Sequence, residues 1–333
     1  MAEKKLEDLL YEYAQKRRKA EQDLDNRKKQ LYEKYPRLEE IEDAINRLSI
    51  EKAKSILNGN AEINEFDTKI DNLKKEKDVF LEKNKINKKD LEIKYECDNC
   101  KDRGYITDST GRSVMCNCLK QKMLDISYNK SNLSDIKKEN FENFNIDIFS
   151  DEVNTQKYKI KCSPRENMEN IKKAGLKFID NFDNIEEKNL LFIGNTGLGK
   201  TYMTNCIANE LLKKGRTVLY QTAPVLFETI ISNKFNKTRD SDEFYKNILN
   251  VDLLIIDDLG TENPNSMTIG ELFTIINTRI LKLNNKPTKT IISTNLSIEK
   301  IFKFYEERIG SRIAGYYNIY QFFGEDLRLK NNI

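Results

Sequence analysis

The chain has 333 residues, a formal net charge of +3 and no histidine. Its length allows two domains, and so small a net charge means that any nucleic-acid contact must come from a local basic strip. Histidine bases and histidine metal ligands are excluded, and no apolar run reaches the roughly 18 residues a membrane span needs.

The opening MAEKKLEDLL is charged from the start and lacks a signal-peptide core. A cytoplasmic protein without a membrane contact is expected, its six cysteines reduced or metal-bound rather than paired. Residues 1–94 read as long helices, a helical hairpin or antiparallel coiled coil. One apolar stripe holds Leu6, Leu9, Leu10 and Tyr13, a second Ile41, Ile45 and Leu48, a third Ile63, Phe66, Ile70, Leu73 and Leu81. Pro36 should break or restart the first helix, and Asn58-Gly59-Asn60 should turn the chain. The alternative is a solvated, partly disordered helical arm.

Residues 95–130 form a second region. Cys97 and Cys100 (C-x2-C) are followed by Cys116 and Cys118 (C-x-C), with Gly104 and Gly111 between them. Four thiolates can close a tetrahedral structural zinc site, which suits a segment too short for a core of its own. Free thiols in a loop are the plainer alternative, and a redox pair would sit at a strand–helix junction. A helix should follow over 119–128, then a polar linker within 131–150. Cys162 lies outside the cluster, and Cys206 reads as a small core residue.

From 151 to 333 strand and helix alternate, which predicts a parallel sheet covered on both faces. Strands are expected at 190–193, 217–221, 252–256, 289–293 and 318–322, and helices at 165–182, 200–214, 224–234, 241–249, 267–284 and 297–313. The apolar run Leu190-Leu191-Phe192-Ile193 leads into GNTGLGKT, residues Gly194, Asn195, Thr196, Gly197, Leu198, Gly199, Lys200 and Thr201, which opens a helix from Lys200 to Lys213 with Tyr202 in its first turn. Strand, glycine-rich loop and helix in that order make a P-loop, whose N–H groups cradle phosphates. Lys200 then meets the β and γ phosphates of ATP, and Thr201 ligates Mg²⁺. About sixty residues on, Leu253-Leu254-Ile255-Ile256 ends in Asp257 and Asp258. Asp257 can hold Mg²⁺ through water, and Asp258 can polarise the attacking water, although glutamate is commoner there. Thr290 to Asn295 is a further strand whose terminal Asn295 can contact the γ-phosphate or that water. Arg308 and Arg312 share a helical face, either as surface ion-pair partners or as cations offered to a neighbouring subunit's nucleotide. Arg328 lies in the short tail GEDLRLKNNI, which carries no helical lid. The stretch 223–250 sets Phe227, Phe235, Phe244 and Tyr245 among Lys234, Lys237, Arg239 and Lys246, a mixture suited to single-stranded DNA or to a core with a solvated face.

Taken in order, GNTGLGKT, LLIIDDLG, IISTN and ERIGSRI resemble the AAA+ ATPases of the initiator clade. Within that clade the chain resembles the bacterial replicative helicase loaders of the DnaC/DnaI type. CDNCKDRGYI, CNCLK and the FENF stretch at Phe141–Phe144 add to this likeness, which covers about residues 95–330. The resemblance implies that Asn295 is sensor 1, Arg312 the arginine finger and Arg328 sensor 2, with Arg308 assisting at the subunit boundary. It also implies a DnaB-type hexameric helicase as partner of the N-terminal region. Single-stranded DNA and self-association through the ATPase domain, with release on ATP turnover, complete the implied picture. Two rivals stand beside it. One is a transposase-helper ATPase of the IstB type, which shares the ATPase signatures but usually lacks the cysteine cluster and helical arm. The other is a nucleotide-gated DNA-binding adaptor with little turnover. A P-loop kinase would need an acceptor pocket and lid arginines.

Overall fold

The computed structural model describes residues 2–57, 63–127, 138–235, 239–282 and 288–330. They divide into two compact units, Glu3–Cys116 and Asn117–Ile333.

The first unit opens with three long helices, α1 (Ala2–Lys34), α2 (Pro36–Leu57) and α3 (Ile63–Lys83). Pro36 occupies the first position of α2, where its missing N–H costs nothing. Each expected stripe contributes buried residues: Leu9 and Tyr13 from α1, Ile41 from α2, Ile70 and Leu81 from α3. Glu42 is buried between the helices, paired with Lys28 and Lys77 and accepting the Tyr32 hydroxyl. Burial pushes its carboxyl upward, but these partners outweigh burial and hold it down at about 2. The turn expected at 58–60 lies outside the described residues. A two-stranded hairpin, β1 (Tyr105–Thr107) with β2 (Ser113–Met115), closes the unit.

The second unit begins with α4 (Asn117–Ser127). Of the linker expected over 131–150, residues 131–137 lie outside the described residues, which resume at 138. Helix α5 (Pro164–Asp180) starts on an N-cap: the Ser163 hydroxyl accepts the Glu166 N–H at 3.1 Å, with Pro164 between them. The core elements follow as β3 (Asn189–Ile193), α6 (Lys200–Lys213), β4 (Val218–Thr222), α7 (Ala223–Phe235), α8 (Arg239–Asn250), β5 (Leu253–Leu259), α9 (Ser266–Lys282), β6 (Lys289–Thr294), α10 (Ile298–Tyr316), β7 (Tyr317–Gln321) and α11 (Leu327–Lys330). All five predicted strands are present, within three residues at every boundary.

The sheet is wholly parallel, in the order β4-β5-β6-β3-β7. Its strands feed two cores by strict alternation. Leu191, Ile193, Leu254, Ile256 and Ile292 face one side with α7, α9 and α10. Leu190, Phe192, Leu253, Ile255 and Ile291 face the other with α5 and α6. Burial on both faces explains why these strands read as continuous apolar runs. β4 is an edge strand, and Gln121 of α4 covers its start. The Gln121 amide accepts the Val218 N–H at 2.7 Å and donates to the Val218 carbonyl at 3.0 Å, a side-chain imitation of strand pairing. At the starts of the neighbouring β5 and β6 Arg279 is almost wholly buried, donating to the carbonyls of Ile248, Val251, Asp252 and Lys289 and to the Thr290 hydroxyl.

Candidate nucleotide site and cysteine cluster

The C-terminal ends of β3, β5 and β6 lie side by side, with Ile193 opposite Thr294 and Thr294 opposite Leu259. In an open parallel sheet this edge is where ligands bind. The chain leaves β3 through Gly194–Gly199 and enters α6 at Lys200. Gly194, Gly197 and Gly199 all have positive φ. Backbone also closes the space at Gly194, and at Gly197 the Asp326 side chain would have to move to admit a Cβ. A Cβ on Gly194 would stand 2.3 Å from the Phe322 carbonyl oxygen, and one on Gly197 would stand 1.8 Å from an Asp326 carboxylate oxygen.

Lys200 is buried and donates at 2.7 Å to three acceptors: the carbonyls of Gly194 and Asn195, and Oδ1 of Asn295. Burial pushes its ammonium down, opposed by the charges of Asp258 and Asp257. The P-loop lysine and the strand-tip asparagine are thus joined directly across 95 residues of sequence.

Asp257 is buried at the end of β5. Its Oδ2 accepts the Thr201 hydroxyl at 3.0 Å and also the Tyr220 hydroxyl, while Oδ1 accepts the Ser293 hydroxyl. Thr201 and Asp257 therefore bring two hard oxygen donors together, the donor set that Mg²⁺ prefers. Asp258 follows with φ of 54°, a left-handed conformation at a β-bulge between Ile256 and Leu259. Burial and the neighbouring Asp257 raise its carboxyl, against the opposing charges of Lys200 and Arg328. That opposition places Arg328 within electrostatic reach of both Lys200 and Asp258. The tail reaches the loop directly as well, because the Leu327 N–H donates to the Gly197 carbonyl at 2.9 Å.

Other expected residues take different positions. Arg312 is half-buried on α10, donating to Asn277 Oδ1 at 2.8 Å and lying 4.6 Å from the centre of the Phe273 ring. Arg308 is exposed, lies 4.5 Å from the same ring centre and pairs with Glu306 at 2.7 Å. These contacts keep both arginines on the α9–α10 surface rather than in the P-loop. Tyr202 packs edge-on against Phe144 at 5.6 Å.

The aromatics offered for DNA stacking need correction. Phe227 and Phe244 are about 1% exposed and belong to the core, packed with Leu226, Ile230 and Ile248 of the same helices against the sheet residues Leu254 and Ile256. Tyr245 donates its hydroxyl to Glu271, and Lys234 pairs with the same carboxylate. Lys237 and the side chains of Phe235 and Arg239 lie outside the described residues. Cys206 is a buried core thiol, pushed up to about 12 chiefly by burial.

The four sulfurs of Cys97, Cys100, Cys116 and Cys118 lie within 4.8 Å of one another, and Cys97 and Cys116 are 3.9 Å apart. Four sulfurs around one zinc at about 2.3 Å would be about 3.8 Å apart, so the cluster fits the metal. Local backbone supports it. The Asp102 carboxylate accepts the N–H groups of Glu96 and Cys97, and the Gly104 N–H donates to the Cys100 sulfur at 3.4 Å.

Sequence reasoning did not single out Tyr220, Ser293, Asp326 or Gln121. Ser293 was within reach: it precedes Asn295 by two residues and so shares its strand face. Nothing in the sequence pairs Asp326 with a glycine 129 residues earlier.

Comparison with known proteins adds to this geometry. The family described as IstB-like ATP binding protein matches residues 144–331, more than half of the chain. The replicative helicase loader DnaC of Escherichia coli (strain K12) is 26% identical over 159 residues, 47% of this chain and 61% of that protein. The chain thus spans less than two thirds of that relative's length. The chromosomal replication initiator protein DnaA of Campylobacter fetus subsp. fetus (strain 82-40) is 34% identical over 125 residues, 37% of this chain and 27% of that protein. Among solved structures, the DnaC helicase loader covers 56% of this chain and 98% of its own, with 23% identity and a TM-score of 0.43. DnaI covers 57% and 94%, with 21% identity and a TM-score of 0.44. No helix among the described residues is long and apolar enough to cross a membrane.

Proposed function

Since the chain belongs to the IstB-like ATP binding protein family, an AAA+ ATP-binding group, we propose that it hydrolyses ATP to govern the loading of a replicative helicase onto single-stranded DNA. The observation that carries the ATPase reading is the joining of Lys200 to Asn295 and of Thr201 to Asp257 at one strand edge. Those four residues come from three strand ends and make one phosphate-and-metal site.

In this reading the loop N–H groups and Lys200 hold the β and γ phosphates, exchanging the lysine's present carbonyl partners for phosphate oxygens. Thr201 and Asp257 hold Mg²⁺, which neutralises phosphate charge. Asp258 and Asn295 orient the attacking water. Arg328 approaches from the chain's own tail. Arg312, displayed on α10, completes a neighbour's site, which makes turnover slow until subunits assemble.

The helicase partner rests on the DnaC relative, which is named a replicative helicase loader, and on the helical unit and cysteine cluster that precede the ATPase. A DnaB-type hexamer would engage the N-terminal helices, and Lys234, Lys237 and Arg239 are the candidate DNA contacts. The match to the IstB-like family favours one rival, a transposase helper. Phosphate release separates the two. Loading predicts stimulation by single-stranded DNA together with the replicative helicase; a rate indifferent to both contradicts it.

The cysteine cluster is proposed to hold one structural zinc, because its sulfurs have the required spacing. Metal analysis of the purified chain should find about one zinc per chain, lost on Cys100→Ser. A chain that folds natively without bound zinc contradicts this assignment.

A further inference from the structure

We propose that Ser293 is a positioning residue that locks Asp257 and Asp258 into one unit and so sets the geometry of the metal and water sites. The inference rests on the ATPase reading of the same site and adds a residue to it.

Four observations converge on this side chain. Ser293 is fully buried, so its hydroxyl is bound to protein partners rather than exchanging with solvent. That hydroxyl donates to Asp257 Oδ1 and accepts the Asp258 N–H at 3.1 Å. A serine hydroxyl has one proton and two lone pairs, so it can do both at once. The third observation is the bulge. Ile256 lies opposite Ile292 and Leu259 opposite Thr294, so three steps on β5 match two on β6. Regular ladder pairing fails there, and the Ser293 side chain takes the Asp258 N–H that the backbone leaves over. The fourth is conformation. Asp258 sits at φ of 54°, a region that disfavours a side chain bearing a Cβ and that must be held by its surroundings.

The consequence is a division of labour on Asp257. Oδ1 is committed to Ser293, and Oδ2 faces Thr201, the other candidate Mg²⁺ ligand. With the Tyr220 hydroxyl on Oδ2, Ser293 on Oδ1 fixes the rotation of the carboxylate and, through the adjoining N–H, the direction in which Asp258 leaves the strand. Without the hydroxyl, Oδ1 and the Asp258 N–H lose a common partner, and the bulge loses the contact that holds its left-handed residue.

The test compares the full chain with Ser293→Ala, Ser293→Thr and Lys200→Ala. Phosphate release gives kcat and KM; a fluorescent ATP analogue gives affinity in EDTA and in Mg²⁺; a thermal melt reports folding. Ser293→Ala should lower kcat about tenfold or more while metal-free affinity stays within about twofold. The gain in affinity that Mg²⁺ brings should shrink. Ser293→Thr, which keeps the hydroxyl, should recover most of both losses. Native kcat and a native Mg²⁺ gain in Ser293→Ala would overturn the proposal. So would loss of metal-free affinity in parallel with kcat, or a Ser293→Thr chain that melts natively yet performs no better than Ser293→Ala. If the native chain releases no more phosphate than Lys200→Ala, the ATPase reading itself fails. The Mg²⁺-dependent affinities then still decide the role of Ser293.

Discussion

Lys200 shows how one side chain holds the site ready. Its ammonium is taken out of water and given three oxygen partners, one of them the strand-tip Asn295. Burial weakens its hold on a proton, and two carboxylates oppose that effect without cancelling it. Arriving phosphate oxygens replace carbonyl partners with charged ones, which makes stronger bonds. Arg312 makes the opposite case. It is tethered by Asn277 and Phe273 on the α9–α10 surface, from which the proposed role would offer it to a neighbouring subunit. An arginine supplied in this way is worth about 10³–10⁵ in rate. Homogeneous Lys200→Ala and Arg312→Ala preparations should each be nearly inactive, and mixing them should restore part of the turnover, because some interfaces then pair an intact P-loop with an intact Arg312. Native turnover in assembled Arg312→Ala alone would remove the residue from the mechanism.

At the scale of elements, sequence and structure agree where one rule governs. The continuous apolar runs at 190–193 and 253–256 read as strands buried on both faces, and the P-loop set the start of α6 at Lys200. Agreement ends where long-range packing decides. The aromatics of α7 and α8 carry the same residue types in a core or on a stacking platform, and only tertiary contact sends Phe227 and Phe244 inward. That Asp326 and Leu327 would lie along the loop at Gly197 depends on contacts no local pattern encodes. Arg279 is a third case. No local pattern singles it out, yet it is almost wholly buried and ties the end of α8 to the starts of β5 and β6 through five acceptors. Burial lowers it only to about 10, so it stays charged at neutral pH. Arg279→Met would keep much of the volume and strand four carbonyls. Urea unfolding should show a loss of at least about 3 kcal/mol. A loss below about 1 kcal/mol would mean that water or rearrangement satisfies those carbonyls.

At the scale of the whole molecule, two different stabilising strategies occur in one chain. The second unit has two hydrophobic cores and a five-stranded sheet to hold its site rigid. The first relies on long helices, a small cluster around Leu38, Leu81 and Leu91, and ion pairs such as Lys28–Glu42. A rigid ATPase and a charged helical unit suit a protein that converts nucleotide state into a grip on a partner. The most direct test is recovery of the cognate replicative helicase on circular single-stranded DNA, after incubation with this chain and ATP. The account predicts that the intact chain raises the amount of DNA-bound helicase well above that of helicase alone, and that Lys200→Ala does not. Helicase recovery unchanged by the intact chain, in a preparation that still releases phosphate, would contradict the loader reading.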